Sequence, residues 1–326
     1  MNEKENAWDT INIRTDLAVE DKEQFEGKDV SISGVIIKEK YDSEYGVTIT
    51  KVRICSDYGA KAMNKPKGTY VTIEAKDLQH GEFDSERMSE VADALGRELK
   101  HMLSFCEKKS DQLSVLVVGL GNRDVTPDAL GPMAVSNLEV NRHLFMVEEG
   151  KSAKGMSAMI PGVMAQSGME SAEMVSGIVS QIRPDVVIAI DALAARSTKR
   201  LNTTIQIADT GIHPGSGVGN HRKGLNRETL GIPVIAIGIP TVIDAATIVN
   251  DTMDAMIRVL KSSNTKEGRG MSKVLEGFSD KERLELIGEL LEPQIGTMFV
   301  TPKDIDENIQ FMAKMVAMSI NNIFAN

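Results

Sequence analysis

Two aspartates stand where a carboxylate pair could act on a water and a carbonyl. Asp128 follows Thr126 and Pro127, after the apolar run Val115–Val118 and the glycines Gly119 and Gly121; Asp191 follows the run Val186–Ile190. If both runs are strands of one parallel sheet, both acids fall on the rim at the strands' C-terminal ends, where open α/β sheets place their ligands. Two like charges a few ångströms apart do not both ionise easily, so such a pair can share one proton. One acid then takes a proton from water and the other protonates a carbonyl. A helix N-terminus beside Asp128 favours its charged form, and the apolar run before Asp191 favours the protonated form there. Acids at strand ends also act as plain helix caps, and spacing alone leaves both readings open.

Other chemistries fit less well. Gly119-Leu120-Gly121 follows a strand as a dinucleotide fingerprint requires, but the third glycine position is Asp124. There is no P-loop and no Gly-x-Ser-x-Gly. A hard-ligand metal cluster could be assembled from Asp128, Asp191 and a histidine of the glycine-rich loop, His213 or His221. His80, His101 and His143 show no ligand spacing, and Cys55 and Cys106 lie in no Cys-x-x-Cys or Cys/His cluster.

The elements that must position these residues alternate. Val115–Gly119 within 114–119 reads as a buried strand, and Thr126-Pro127 as the N-cap and first position of a helix over 127–140. Leu144–Val147 reads as a second strand and Lys151–Ser167 as a long loop. The capping-box spacing Ser167–Glu170 opens a helix to Ile182, with Met174, Val175, Ile178, Val179 and Ile182 on its apolar face. A central strand is expected to end at Asp191. Further strands are expected at Thr203–Ala208 and Pro233–Ile239, the latter broken by Pro240-Thr241, with a helix over 242–260. Before this unit, valines and isoleucines within 29–75, interrupted at Tyr41–Gly46 and Asn64–Gly68, predict a small antiparallel region, and 84–106 a helix. After it, Ser279–Glu282 caps a helix to Leu291 and Thr301-Pro302 opens the last one. The expected fold is α/β: a largely parallel sheet covered by helices on both faces, with a small antiparallel β region near the N-terminus.

The 326 residues carry a formal charge of −10, which suits a soluble chain and does not suit tracking a nucleic-acid backbone. Aromatics are 4% and there are 18 methionines, so Met and aliphatic residues must fill the core. No apolar run reaches membrane-spanning length, and the polar start Met1–Asn6 does not read as a signal peptide, so a cytoplasmic protein is expected. Trp8, Ile11, Ile13 and Leu17 make the first 25 residues more than a polar tail: such anchors dock somewhere.

Several of these stretches together resemble the germination proteases of spore-forming bacteria. The likeness runs through Arg14–Glu20, Gly119–Asn122 with Val125–Pro132, Pro161–Glu170, Ile190–Arg196, Gly211–Gly217, Gly238–Ala245 and Val300–Lys303. A more distant likeness, limited to the strand-loop-acid pattern, is to the hydrogenase-maturation endopeptidases. The resemblance implies a phosphorylase/hydrolase-like peptidase domain over 17–326 and a propeptide over 1–16. It implies an endopeptidase that degrades small acid-soluble spore proteins during germination in the spore core, made as a self-processing zymogen and assembled as a homotetramer. It places the two catalytic aspartates on Asp128 and Asp191, and propeptide cleavage at the Asp16–Leu17 bond. It implies no cofactor. The hydrogenase-maturation likeness keeps a divalent metal ion on Asp128, Asp191 and His213 as the alternative, and a non-catalytic binding module remains a third reading. Arg123-Asp124 departs from the family pattern by adding a charge pair beside the active loop.

Overall fold

The computed structural model describes residues 17–18, 32–80, 84–105, 112–145, 155–213, 223–262 and 298–324, with isolated positions between 263 and 297. One open sheet of nine strands runs through it: β1 (Val35–Asp42), β2 (Val47–Ile54), β3 (Gly68–Glu74), β4 (Ser114–Gly119), β5 (Gly155–Met159), β6 (Val186–Ala195), β7 (Thr204–Ala208), β8 (Val234–Asp244) and β9 (Phe299–Val300). The order is β1-β2-β3-β7-β8-β6-β4-β5, with β9 paired to β8. Pairs β8–β6, β6–β4 and β4–β5 are parallel; β1–β2, β2–β3, β3–β7, β7–β8 and β8–β9 are antiparallel.

The sheet is therefore mixed, a correction to the largely parallel one expected. The parallel part is confined to β8, β6, β4 and β5. The antiparallel region expected near the N-terminus is there as β1, β2 and β3, and β7, antiparallel to both β3 and β8, joins it to the parallel part in one sheet. Strand periodicity reports which side chains share a face and is blind to strand direction.

Eight helices are described: α1 (Asp57–Ala62), α2 (Ser85–Met102), α3 (Leu130–Ser136), α4 (Met164–Ser167), α5 (Ser171–Ile182), α6 (Arg227–Leu230), α7 (Ala245–Ser262) and α8 (Ile305–Phe324). α8 packs against α2 and α3 on one face of the sheet. Its buried Ile309, Met312, Val316 and Ile320 join Leu95, Leu99, Ile188, Ile190, Ile235 and Ile237 in the main core. At about 25 cal/mol per Å² of apolar area, these fully buried side chains dominate the driving force. α5 covers the other face, where Ala172, Val175 and Val179 meet Leu116, Val118, Val187 and Ala189. Ile178, expected on its apolar face, is exposed.

Other expectations shift. Leu144 lies in a 3-10 turn over Arg142–Leu144 instead of a strand, and Met146 and Val147 fall outside the described residues. The missed strand is β5, within the stretch read as a loop. It is an edge strand with only Met156 fully buried, so it lacks both the alternation and the apolar run that mark strands. The helix to Leu291 falls mainly outside the described residues.

β6 does not end at Asp191, and Pro240 does not end β8. The two strands run on together past the end of β4 to Ala195 and Asp244, with Leu193 paired to Pro240 and Ala194 to Val242. Thr241 is the extra residue of a bulge, one of the few places a sheet accepts proline.

Candidate functional site

All six residues of β4 are buried. Leu120 continues its pairing by donating its N–H to the Ile190 carbonyl at 2.8 Å. The chain then turns at Gly121, whose φ of +108° lies in the left-handed region. A Cβ there would overlap the Asp128 carbonyl oxygen and come within 3.0 Å of its Oδ1, so only glycine fits on both counts. The loop closes on itself: the Asn122 N–H donates to Asp128 Oδ2 at 2.7 Å.

Asp128 ends a 3-10 turn, Thr126–Asp128, with Pro127 near its start. The cap position is Val125, with no side-chain capping bond, so Thr126 is not the cap the sequence suggested. The α-helix proper starts only at Leu130 and lasts seven residues, shorter than expected. Two glycines let it seat on the sheet. A Cβ on Gly131 would lie 2.5 Å from the Ile190 carbonyl oxygen, and one on Gly119 would overlap the Gly131 backbone. The turn carrying Asp128 thereby packs against β6 and β8. It is also tied to the β8 bulge, where the fully buried Thr241 donates its hydroxyl to the Pro127 carbonyl at 2.7 Å. Thr301 in turn donates to the Thr241 carbonyl at 2.8 Å.

Asp191 is 6% exposed. It directly follows Ile190, the last residue of β6 paired to β4, and it sits opposite Gly238 on β8. Because Ile188 and Ile190 face the main core, alternation turns Asp191 to the other face of the sheet. Its Oδ1 accepts the Ala192 N–H at 2.9 Å. The turn that carries Asp128 thus rests on the strand that carries Asp191, and the two acids share one rim.

His213 does not join them in a ligand set. It is exposed, just beyond the bridge of Ile212 to Leu225, and its ring lies over Gly224. Among the described residues no three His, Cys, Asp or Glu side chains form a group that could hold a metal ion. His221 and Asp16 lie outside the described residues; Leu17 lies inside them and is fully buried.

Residues whose roles the sequence did not disclose complete the rim. Gln166 on α4 donates to Asn122 Oδ1 at 3.1 Å and to Asp124 Oδ2 at 3.4 Å. The departure at Asp124 is therefore part of a polar clamp between α4 and the acid-bearing loop. Val125, Ile160, Met164 and Met169 are exposed on these segments.

A family model described as germination protease matches residues 11–279. The germination protease of Caldanaerobacter subterraneus subsp. tengcongensis is 45% identical over 315 residues, covering 95% of this chain and 94% of that protein. That of Clostridium perfringens strain SM101 is 43% identical over 314 residues, again 95% and 94%. That of Priestia megaterium is 41% identical over 358 residues, covering 98% and 95%.

Proposed function

This chain belongs to the germination protease family, and from that membership we propose that it is an aspartate-dyad endopeptidase acting on small acid-soluble spore proteins. The observation that carries the reading is the seating of the Asp128 turn on β6 through Gly131 and Ile190, which sets two carboxylates on one rim. Asp128, half-buried and held by the Asn122 N–H, is the general base; Asp191, more deeply buried, is the general acid. Asp128 takes a proton from water as the water oxygen attacks the peptide carbonyl carbon. Asp191 gives its proton to the carbonyl oxygen, forming a neutral gem-diol. The C–N bond then breaks as the nitrogen takes the proton held by Asp128 and a diol hydroxyl returns its proton to Asp191. One water is consumed, giving a carboxylic acid and an amine.

Residues 1–16 are read as a propeptide removed at the Asp16–Leu17 bond, in a zymogen that processes itself and assembles as a homotetramer in the cytoplasm of the spore core. The burial of Leu17 and the bond from the Ala18 N–H to Gln206 Oε1 at 2.7 Å support an anchored tail. No helix among the described residues is long and apolar enough to cross a membrane. No step in this mechanism is routed through a metal.

The test is digestion of purified spore protein by wild-type, Asp128→Asn and Asp191→Asn chains, with and without chelator. Loss of at least 1,000-fold in both folded variants, with no effect of chelator, is expected. Wild-type rates in either variant would remove that acid from the chemistry. Activity lost on chelation and restored by refilling would replace the dyad with a metal peptidase. A chain lacking residues 1–16 should be more active than the full chain; equal activity in a folded, tetrameric protein would remove the inhibitory role of the tail.

A further inference from the structure

Gln166, on α4, stands at the junction between the loop that carries Asp128 and the face of the sheet that carries Asp191. The loop is a pair of turns closed by its own backbone. The Val125 N–H donates to the Asn122 carbonyl at 3.2 Å, and the Asp128 N–H to the Val125 carbonyl at 2.8 Å. The bond from the Asn122 N–H to Asp128 Oδ2 then sets a backbone donor on the carboxylate. Where the Asn122 peptide stands therefore decides where that donor, and the acid resting on it, stand. On the other side, Val175 and Val179 of α5 share a core with Val187 and Ala189 of β6. Those two alternate with Ile188 and Ile190, so they lie on the Asp191 face of the strand. α4 is tied to the start of α5, because Ser171 donates its hydroxyl to the Gly162 carbonyl at 3.2 Å. Gln166 reaches from this unit to the loop.

The orientation of its amide follows from its neighbours. The Asp124 N–H donates to Asn122 Oδ1 at 3.1 Å, so that atom is an acceptor, and so is the carboxylate oxygen Asp124 Oδ2. Gln166 must turn its NH2 toward both, at 3.1 Å and 3.4 Å, and an NH2 carries one donor for each. Its Oε1 takes the Val163 N–H at 3.4 Å. A Cβ at Gly162 would come within 3.0 Å of that oxygen, so the chain leaves room for the side chain there. Gln166 and Asp124 are exposed, where water would satisfy the same groups, so these bonds add little to the fold. What they fix is position.

We propose that Gln166 is a positioning residue for the cleavage: it holds the Asn122 peptide under the Asp128 carboxylate and keeps the loop of the general base aligned with the face that carries Asp191. The inference rests on the peptidase reading above. Gln166 acts through Asn122 and exchanges no proton. Asp124, where the loop departs from the family pattern, is the second acceptor that locks the amide.

The experiment measures kcat and KM separately on purified spore protein for the full-length protein and its variants, with the N-terminus of each preparation checked by mass spectrometry so that like forms are compared. Gln166→Met keeps the length of the side chain and removes its donors. It should lower kcat by about tenfold or more, with KM changed by less than about twofold, because a misplaced base loses rate. In an Asn122→Ala background the same change should cost less than about threefold further, since residues acting through one contact are not additive. Gln166→Glu, which sets two carboxylates together, should be at least as slow. Adding Asp124→Asn, whose amide can donate to the introduced acid, should return about fivefold in kcat. Thermal melts of all variants should stay within a few degrees of wild type. Wild-type kcat in Gln166→Met, a raised KM with kcat unchanged, independent losses in the Asn122→Ala background, or a variant that fails to fold would each overturn the positioning role while leaving the peptidase intact. No cleavage by the wild type, or wild-type rates in Asp128→Asn, would remove both.

Discussion

Gly131 meets β6 at Ile190, where the pairing of β6 with β4 ends. A Cβ at position 131 would stand 2.5 Å from the Ile190 carbonyl oxygen, closer than real Cβ atoms approach backbone. The contact joins the short helix behind Asp128 to the residue before Asp191, with no intervening side chain to yield.

Gly131→Ala should therefore damage activity more than folding. The neighbours are backbone, so the helix must lift from the sheet. Strain of this kind costs about 1–3 kcal/mol, and misplacing a catalytic group by about 1 Å can cost about 100-fold in rate. The expected result is a folded protein, melting several degrees lower, that digests spore protein at least 100-fold more slowly.

Thr241→Val should separate positioning from packing. The swap nearly conserves shape and removes the hydroxyl that donates to the Pro127 carbonyl. A buried acceptor left without its donor costs about 1–3 kcal/mol. A roughly tenfold fall in kcat with KM little changed is expected, and Thr241→Ser should restore it. A Thr241→Val enzyme with wild-type kcat would show that the bulge does not hold the Asp128 turn.

Asp42, at the end of β1, tests the antiparallel part of the sheet. Its hydrogen bond from Arg97, on α2, holds its carboxyl below the usual carboxylate range against the opposing effect of burial. A depressed value means that the stabilisation is present above about pH 4, the unfolded value, and is lost as pH falls through the folded one. Asp42→Asn should lower stability by about 1 kcal/mol at pH 7, discounted because Arg97 is partly exposed. Melts of the two proteins should converge as pH approaches 2.

Asp251, on α7, has the opposite sign. Burial first, and then the neighbouring Asp254, raise its carboxyl above the usual range despite Arg196, Arg258 and Lys199. Its ionised form then costs stability above the folded value, and the cost fades as pH falls through it. Asp251→Asn should raise the melting temperature at pH 7, by about 0.5 kcal/mol in stability given its partial exposure, with the gain shrinking toward pH 3. An equal gain at both pH values would rule out the charge as its cause.

Much of the scaffold was legible because its signals are local. β4 was read at its observed bounds from a continuous apolar run closed by glycine. The last helix showed its buried face in Ile305, Ile309, Met312 and Val316. The capping motif near Glu170 was recognised, although Glu170 itself caps α5, with Glu173 reaching back to it. β5 was missed because an edge strand of Met, Ser and Ala lacks a period. β6 and β8 were cut short because Asp191 and Pro240 look like strand ends, while a bulge at Thr241 lets both strands continue.

By itself the sequence determined the family, the two aspartates worth testing and the strand-turn-helix setting of Asp128, since motifs and short-range periodicity are written in adjacent residues. Only the tertiary structure decided that β7 runs antiparallel and makes the sheet mixed, that the Asp128 turn rests on β6 through Gly131, that His213 forms no ligand group with the two acids, and that Leu17 is buried in one cluster with Leu193 and Ile243. Those facts depend on which strands pair, and in which direction, between residues far apart in the chain, as in the pairing of Tyr70 with Ala208. Local sequence carries no record of such pairings, because they are selected by the burial of whole faces at once.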